Sequence, residues 1–103
     1  MSQSISSVIN LTTTPQTILN NAGSNQLRIK GIVCALGSAN RIALSDGTNV
    51  LAEIVCGANV SVYVPFGDDG LVLGSGVDLL ANVAASTSLG IFTIVYDLLD
   101  FSP

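Results

Sequence analysis

Arg41-Ile42-Ala43-Leu44-Ser45-Asp46-Gly47-Thr48-Asn49-Val50-Leu51-Ala52-Glu53-Ile54-Val55-Cys56 is the stretch that decides the fold. Two runs rich in Val, Ile and Leu flank an Asp46-Gly47 pair. Such a pair is the strongest short-range hairpin signal, because glycine accepts the positive φ that a tight turn demands. The reading therefore expects strands over residues 41–45 and 49–56, with Asp46 and Gly47 in the turn between them.

Working outward, the same alternation of short apolar runs with Gly, Asn, Asp and Ser clusters continues in both directions. It predicts further strands near residues 4–11, 16–20, 26–36, 59–64, 70–73, 77–84 and 91–99. Nine runs at such intervals describe an all-β domain, a single antiparallel β-sandwich of jelly-roll type. Residues 77–85 carry some helical spacing, yet their length and Gly-Ser border favour a strand. Residues 1–14, rich in Ser and Thr, read as an N-terminal arm or a first strand, and residues 15–103 as the sandwich domain.

Alternation along each strand assigns faces, since successive side chains point to opposite sides. Leu27, Ile29 and Val33 are expected on the core side, with Arg28 and Lys30 opposite. Val60, Val62 and Val64 should share a face, with Ser61 and Tyr63 on the other. The last run is apolar on both sides: Ile91, Thr93 and Val95 share one, while Phe92, Ile94 and Tyr96 share the other. A strand apolar on both sides is buried on both sides. Phe92, Ile94 and Tyr96 are accordingly the expected contacts of a homo-oligomer interface.

Composition supports association. Hydrophobic residues make up 49% of the 103 positions and charged residues only 10%, against roughly 25% in ordinary domains. The missing charge suggests that part of the outer surface faces another subunit. Net charge is −4, and Arg28, Lys30 and Arg41 are too few cations to displace phosphate counterions, so no nucleic-acid partner is expected. No membrane partner is expected either. The uncharged stretch 79–96 is broken by Asn82, Ser86, Thr87, Ser88 and Gly90, and the start of the chain lacks the basic-then-apolar order of a secretory leader.

Catalytic chemistry finds little to work with. The sequence has no histidine, which removes Ser–His and Cys–His nucleophilic systems and the commonest transition-metal ligand. Cys34 and Cys56 lack the CxxC spacing of a zinc site. Two cysteines alone make no disulfide framework, and nothing in the sequence indicates an oxidising compartment. They read as buried free thiols that pack as small hydrophobes, with a disulfide as the less favoured alternative. Gly74-Ser75-Gly76 has neither the lysine nor the helix of a phosphate loop. Asp68 and Asp69 between Gly67 and Gly70 read as a solvated turn rather than a calcium loop. Paired acids working on sugars want aromatic platforms, and the chain has no Trp. Asn10-Leu11-Thr12 and Asn59-Val60-Ser61 match the glycosylation triplet, read here as chance in an Asn- and Thr-rich chain. No enzyme activity, cofactor or metal is expected.

Read together, Arg41-Ile42-Ala43-Leu44-Ser45-Asp46-Gly47, Val60-Ser61-Val62-Tyr63-Val64-Pro65-Phe66, Gly70-Leu71-Val72-Leu73 and Phe92-Thr93-Ile94-Val95-Tyr96-Asp97 form a pattern. It resembles the small β-sandwich virion proteins of tailed bacteriophages, including capsid decoration (cement) proteins and other head- or tail-associated proteins. The similarity covers about residues 26–97. It implies a symmetric oligomer, often a trimer, whose partners are itself and a major capsid or other virion protein. It also implies a place on the capsid surface, with the N-terminal segment as a docking arm. The alternative is a receptor- or glycan-binding module of a fibre or cell-surface protein, for which Tyr63 and Phe66 beside Asp68 and Asp69 are the candidate residues.

Overall fold

The computed structural model describes residues 3–21, 23, 25–67, 69–85 and 88–99. Nine strands run β1 (Gln3–Leu11), β2 (Gln16–Leu19), β3 (Gln26–Leu36), β4 (Asn40–Ser45), β5 (Val50–Cys56), β6 (Val62–Pro65), β7 (Leu71–Val72), β8 (Leu79–Val83) and β9 (Ser88–Leu99). Their pairing is nested and antiparallel: β1 with β9, β2 with β8, β3 with β6 and β7, and β4 with β5. The chain is therefore one long hairpin whose tip is the Asp46-Gly47 turn. The hairpin is then rolled, so that β9 also pairs with β3 and β8 with β4. The result is a five-stranded sheet in the order β1-β9-β3-β6, with β7 beside β3, packed on a four-stranded sheet in the order β2-β8-β4-β5. This is the jelly roll: an antiparallel sandwich of two interleaved Greek keys.

The turn at the tip is held by its own side chain. The Asp46 carboxylate accepts hydrogen bonds from the backbone N–H of Thr48 at 2.9 Å and Asn49 at 2.7 Å. Gly47 lies at φ 94°, where a Cβ would be strained. Residues 77–78 precede β8 instead of belonging to it, and no helical turn forms there. β1 is no detached arm: it pairs with β9 from Gln3↔Tyr96 to Leu11↔Ser88, and Leu11 is fully buried. Met1 and Ser2 lie outside the described residues.

Inward side chains from both sheets form one core, in which Leu11, Leu27, Ile32, Ile42, Leu44 and Phe92 are sealed from solvent. β3 and β9 supply its spine, and their length sets the long axis. β9 has 12 residues, which span roughly 40 Å at the usual rise per residue, against a longest extent of 45 Å.

β3 does not keep one phase. Its register against β9 shifts between Ile29 and Gly31, pairing Ile29 with Tyr96 but Gly31 with Val95. Lys30 is thus an extra residue, a β-bulge that bends the strand and switches which parity faces inward. Before it Leu27 and Ile29 point into the core; after it Ile32, Cys34 and Leu36 do. Val33, expected in the core from simple alternation, is turned to the outside at 37% exposure. The same bend divides the open edge of β3, with β7 pairing Arg28 and Ile29 and β6 pairing Gly31 to Cys34.

Candidate association surface

Parity on β9 settles which of its two apolar rows is available. Phe92 and Ile94 are both 0% exposed, and Tyr96 is half-buried against the same core. Phe92 and Ile94 have nothing left to offer a partner. The expectation that Phe92, Ile94 and Tyr96 line an oligomer interface is therefore corrected: that row faces the second sheet of its own chain. The opposite row, Leu89, Ile91, Thr93 and Val95, lies on the outside.

Register builds this row into a surface. Across the sheet Val8 stands beside Ile91 and Ile91 beside Ala35. In the next file Ser6, Thr93, Val33 and Tyr63 are neighbours, and in the next Ser4, Val95, Gly31 and Pro65. Every one of these residues is apolar, small or a neutral hydroxyl. Val8 is 64% exposed, Ile91 50% and Tyr63 61%. Ser6 and Thr93 satisfy one another, Oγ to Oγ1 at 3.0 Å, which leaves a flat face with little appetite for water. Gly31 permits that flatness: a Cβ there would come within 3.0 Å of the Tyr63 ring and hydroxyl, so the ring lies over bare backbone.

At one end the face runs into a depression of ≈ 230 Å³ lined by Ala35, Leu36, Gly37, Asn59, Leu89 and Ile91. Its floor is fixed by Gly37 N–H donating to Leu89 O at 3.0 Å and Asn59 N–H donating to Leu36 O at 2.8 Å. Asn59 takes φ 56° to do so, which ends the run expected at 59–64 and leaves Val60 exposed outside β6. The four-stranded sheet presents a different exterior. There Arg41 and Glu53 face solvent and approach to 3.9 Å, each more than half exposed, a pair worth little in stability at such a site. On the five-stranded sheet charge gathers at the far end, where Arg28 of β3 stands beside Asp97 of β9.

The candidate chemical groups do not converge. Asp46 is engaged in its turn; Asp78 accepts the Asn21 backbone N–H at 2.6 Å; Glu53 lies near Arg41. Among the described residues no three His, Cys, Asp or Glu side chains gather. Tyr63 points outward while Phe66 packs inward on the core, so the two share no platform for a sugar. Asp68 lies outside the described residues. Among those residues no helix is long and apolar enough to cross a membrane.

Cys34 on β3 and Cys56 at the end of β5 meet in the core, one from each sheet, with 3.8 Å between sulfurs. Both are free thiols at 0% and 2% exposure. Burial, with the adjacent Cys56 sulfur second, pushes the Cys34 thiol up to about 12.

No family model matches this sequence, and no curated protein matches it. Among solved structures the fold is similar to a protein of Bacillus endospore appendages, which form a family of disulfide-linked pili. That likeness has a TM-score of 0.57 at 11% identity, over 97% of this chain and 88% of the other. A looser likeness, with a TM-score of 0.38 at 10% identity, joins 93% of this chain to 79% of a chain from a virus-like particle. The particle is that of the extra small virus of the giant freshwater prawn Macrobrachium rosenbergii.

Proposed function

We propose that this chain is a non-catalytic structural subunit that associates with copies of itself through the outer face of the five-stranded sheet. The observation that carries the reading is the uncharged surface running from Val8 through Ile91 and Ala35, and from Ser6 through Val33 to Tyr63. Monomers seldom leave so contiguous an apolar face open to water. In the finer form of the proposal the oligomer is a trimer that decorates a phage capsid, docking on the major capsid protein at the virion surface. Repeating one weak contact around a symmetry axis raises avidity without any single strong site.

Sedimentation velocity on the wild type and on Ile91→Lys tests the self-association. The wild type should sediment as an oligomer at micromolar concentration and the variant as a folded monomer. A monomeric wild type at that concentration refutes the reading. Adding purified protein back to stripped capsids tests the finer claim, through recovery of their thermal stability.

The fold likeness to the endospore appendage protein favours a second reading, a subunit of a filament. Cys34 and Cys56 face each other inside one chain, so copies joined into a filament would be held by non-covalent contacts rather than by these sulfurs. Filaments growing from purified protein alone, with no binding to capsids, would favour this reading over decoration.

A further inference from the structure

The depression beside Leu89 continues the association face, and among the described residues no three His, Cys, Asp or Glu side chains gather. The cysteine pair lies in the core, away from the association face. Its two sulfurs come from different sheets, touch at 3.8 Å and belong to residues 22 positions apart. Around them the chain is fixed: Cys34 is in register with Phe92 on one side and Val62 on the other. Two residues beyond Cys56, Ala58 bridges to Leu36 of β3. A disulfide needs its sulfurs about 2.05 Å apart, so closing the contact asks for a shift of under 2 Å shared between two side chains.

We propose that Cys34 and Cys56 are a site of oxidative cross-linking, forming an inter-sheet disulfide while the chain folds, before the two sheets close over them. The oxidant is a disulfide of small-molecule or protein-thiol class. One cysteine, as thiolate, attacks a sulfur of that reagent; the reagent's S–S bond breaks and its first thiolate leaves. The second cysteine then attacks the mixed disulfide, forming the Cys34–Cys56 bond and releasing the second reagent thiol. Two cysteine thiols are oxidised, one reagent disulfide is reduced to two thiols, and the balance is complete.

Timing follows from burial. In the folded chain Cys34 is fully buried and Cys56 nearly so, which shuts out an oxidant, and the Cys34 thiol, held protonated by its burial, is a poor nucleophile. Both thiols and disulfide are thereby locked once the sandwich closes. The redox state would record the compartment in which the chain folded rather than the one in which it resides.

Refolding of the reduced, urea-unfolded chain tests this, once with a mixture of oxidised and reduced glutathione and once with reduced glutathione alone. The first sample should lose the mass of two hydrogens and yield a linked Cys34–Cys56 peptide. Its unfolding midpoint should lie above that of the second. Folded reduced protein given the same oxidant should react at least on the order of 100-fold more slowly than unfolded chain, since reaction waits on opening. Cys56→Ala, refolded under oxidant, should give a glutathione adduct or an intermolecular dimer through Cys34, with no internal link. Free thiols or mixed glutathione adducts in the oxidatively refolded wild type overturn the proposal. A folded protein that oxidises as fast as the unfolded chain overturns the timing.

Discussion

Phe92 and Ile91 are neighbours in sequence on opposite faces of β9, and replacing each by alanine separates core from interface. Phe92 is completely buried between the sheets. Truncating a buried Phe removes its transfer free energy and leaves a cavity that the neighbours fill only in part, costing about 3–5 kcal/mol. For a domain of this size each kcal/mol lowers Tm by about 4 °C or more, so Phe92→Ala should melt at least roughly 12 °C below the wild type. Ile91 is half exposed; in an isolated chain its truncation should change stability by about 0.5 kcal/mol or less. In an oligomer that buries the exposed half of that side chain, it should cost on the order of 1 kcal/mol per contact, several-fold in affinity.

Two measurements separate these effects. Thermal denaturation followed by circular dichroism, at one fixed protein concentration because association itself raises Tm, reports the core. Sedimentation reports the assembly. The reasoning is refuted if Phe92→Ala keeps its melting temperature but falls apart into monomers. In that case Phe92 would have to reach a partner, and the assignment of faces on β9 would be inverted.

Two further outcomes follow from the fold. Backbone N–H groups of Asn49 and Thr48 hold the Asp46 carboxyl below its ordinary value of 3.8. The unfolded chain therefore binds more protons there, and this contribution, present above pH about 4, is lost as pH falls through the lowered value. Urea midpoints measured against pH should show that decline in the wild type and less of it in Asp46→Ala. Deleting residues 2–11 removes the whole of β1 with buried Leu11, and a loss of cooperative unfolding should follow; Leu11→Ala alone should cost about 2–5 kcal/mol. A truncated chain with an unchanged melting curve would show that β1 is dispensable.

The fold was legible because jelly-roll strands are short, alternating and bounded by turn residues, and because Asp46-Gly47 marks the tip of the rolled hairpin. The order of strands across each sheet was less accessible. It depends on which hairpin edges meet when the roll closes, β9 on β3 and β8 on β4, and those contacts join residues far apart in sequence. The ends of β6 and β9 also shifted. Asn59 takes a left-handed turn conformation to reach Leu36, and β9 starts at Ser88 because β1 extends a partner as far as Leu11. Each correction comes from a tertiary hydrogen bond overriding local propensity.

The association face was harder to read, although sequence held two marks of it. On β9 the row of Ile91, Thr93 and Val95 continues to Asp97, while the row of Phe92, Ile94, Tyr96 and Leu98 carries no charge. An unpaired carboxylate is excluded from an inter-sheet core, so Asp97 singles out the exterior row. On β3 the even positions carry Arg28 and Lys30 and then Ile32, Cys34 and Leu36. No single phase can put the first two outside and the last three inside. Gly31 sits where the phase must slip, as an interior strand glycine often marks a bulge or a close approach. It does both: Lys30 is the inserted residue, and the missing Cβ lets Tyr63 lie across the sheet. One slip thus moves Val33 out beside Tyr63 and Thr93, and moves Cys34 in to face Cys56. The apolar exterior and the buried sulfur pair are two consequences of the same inserted residue.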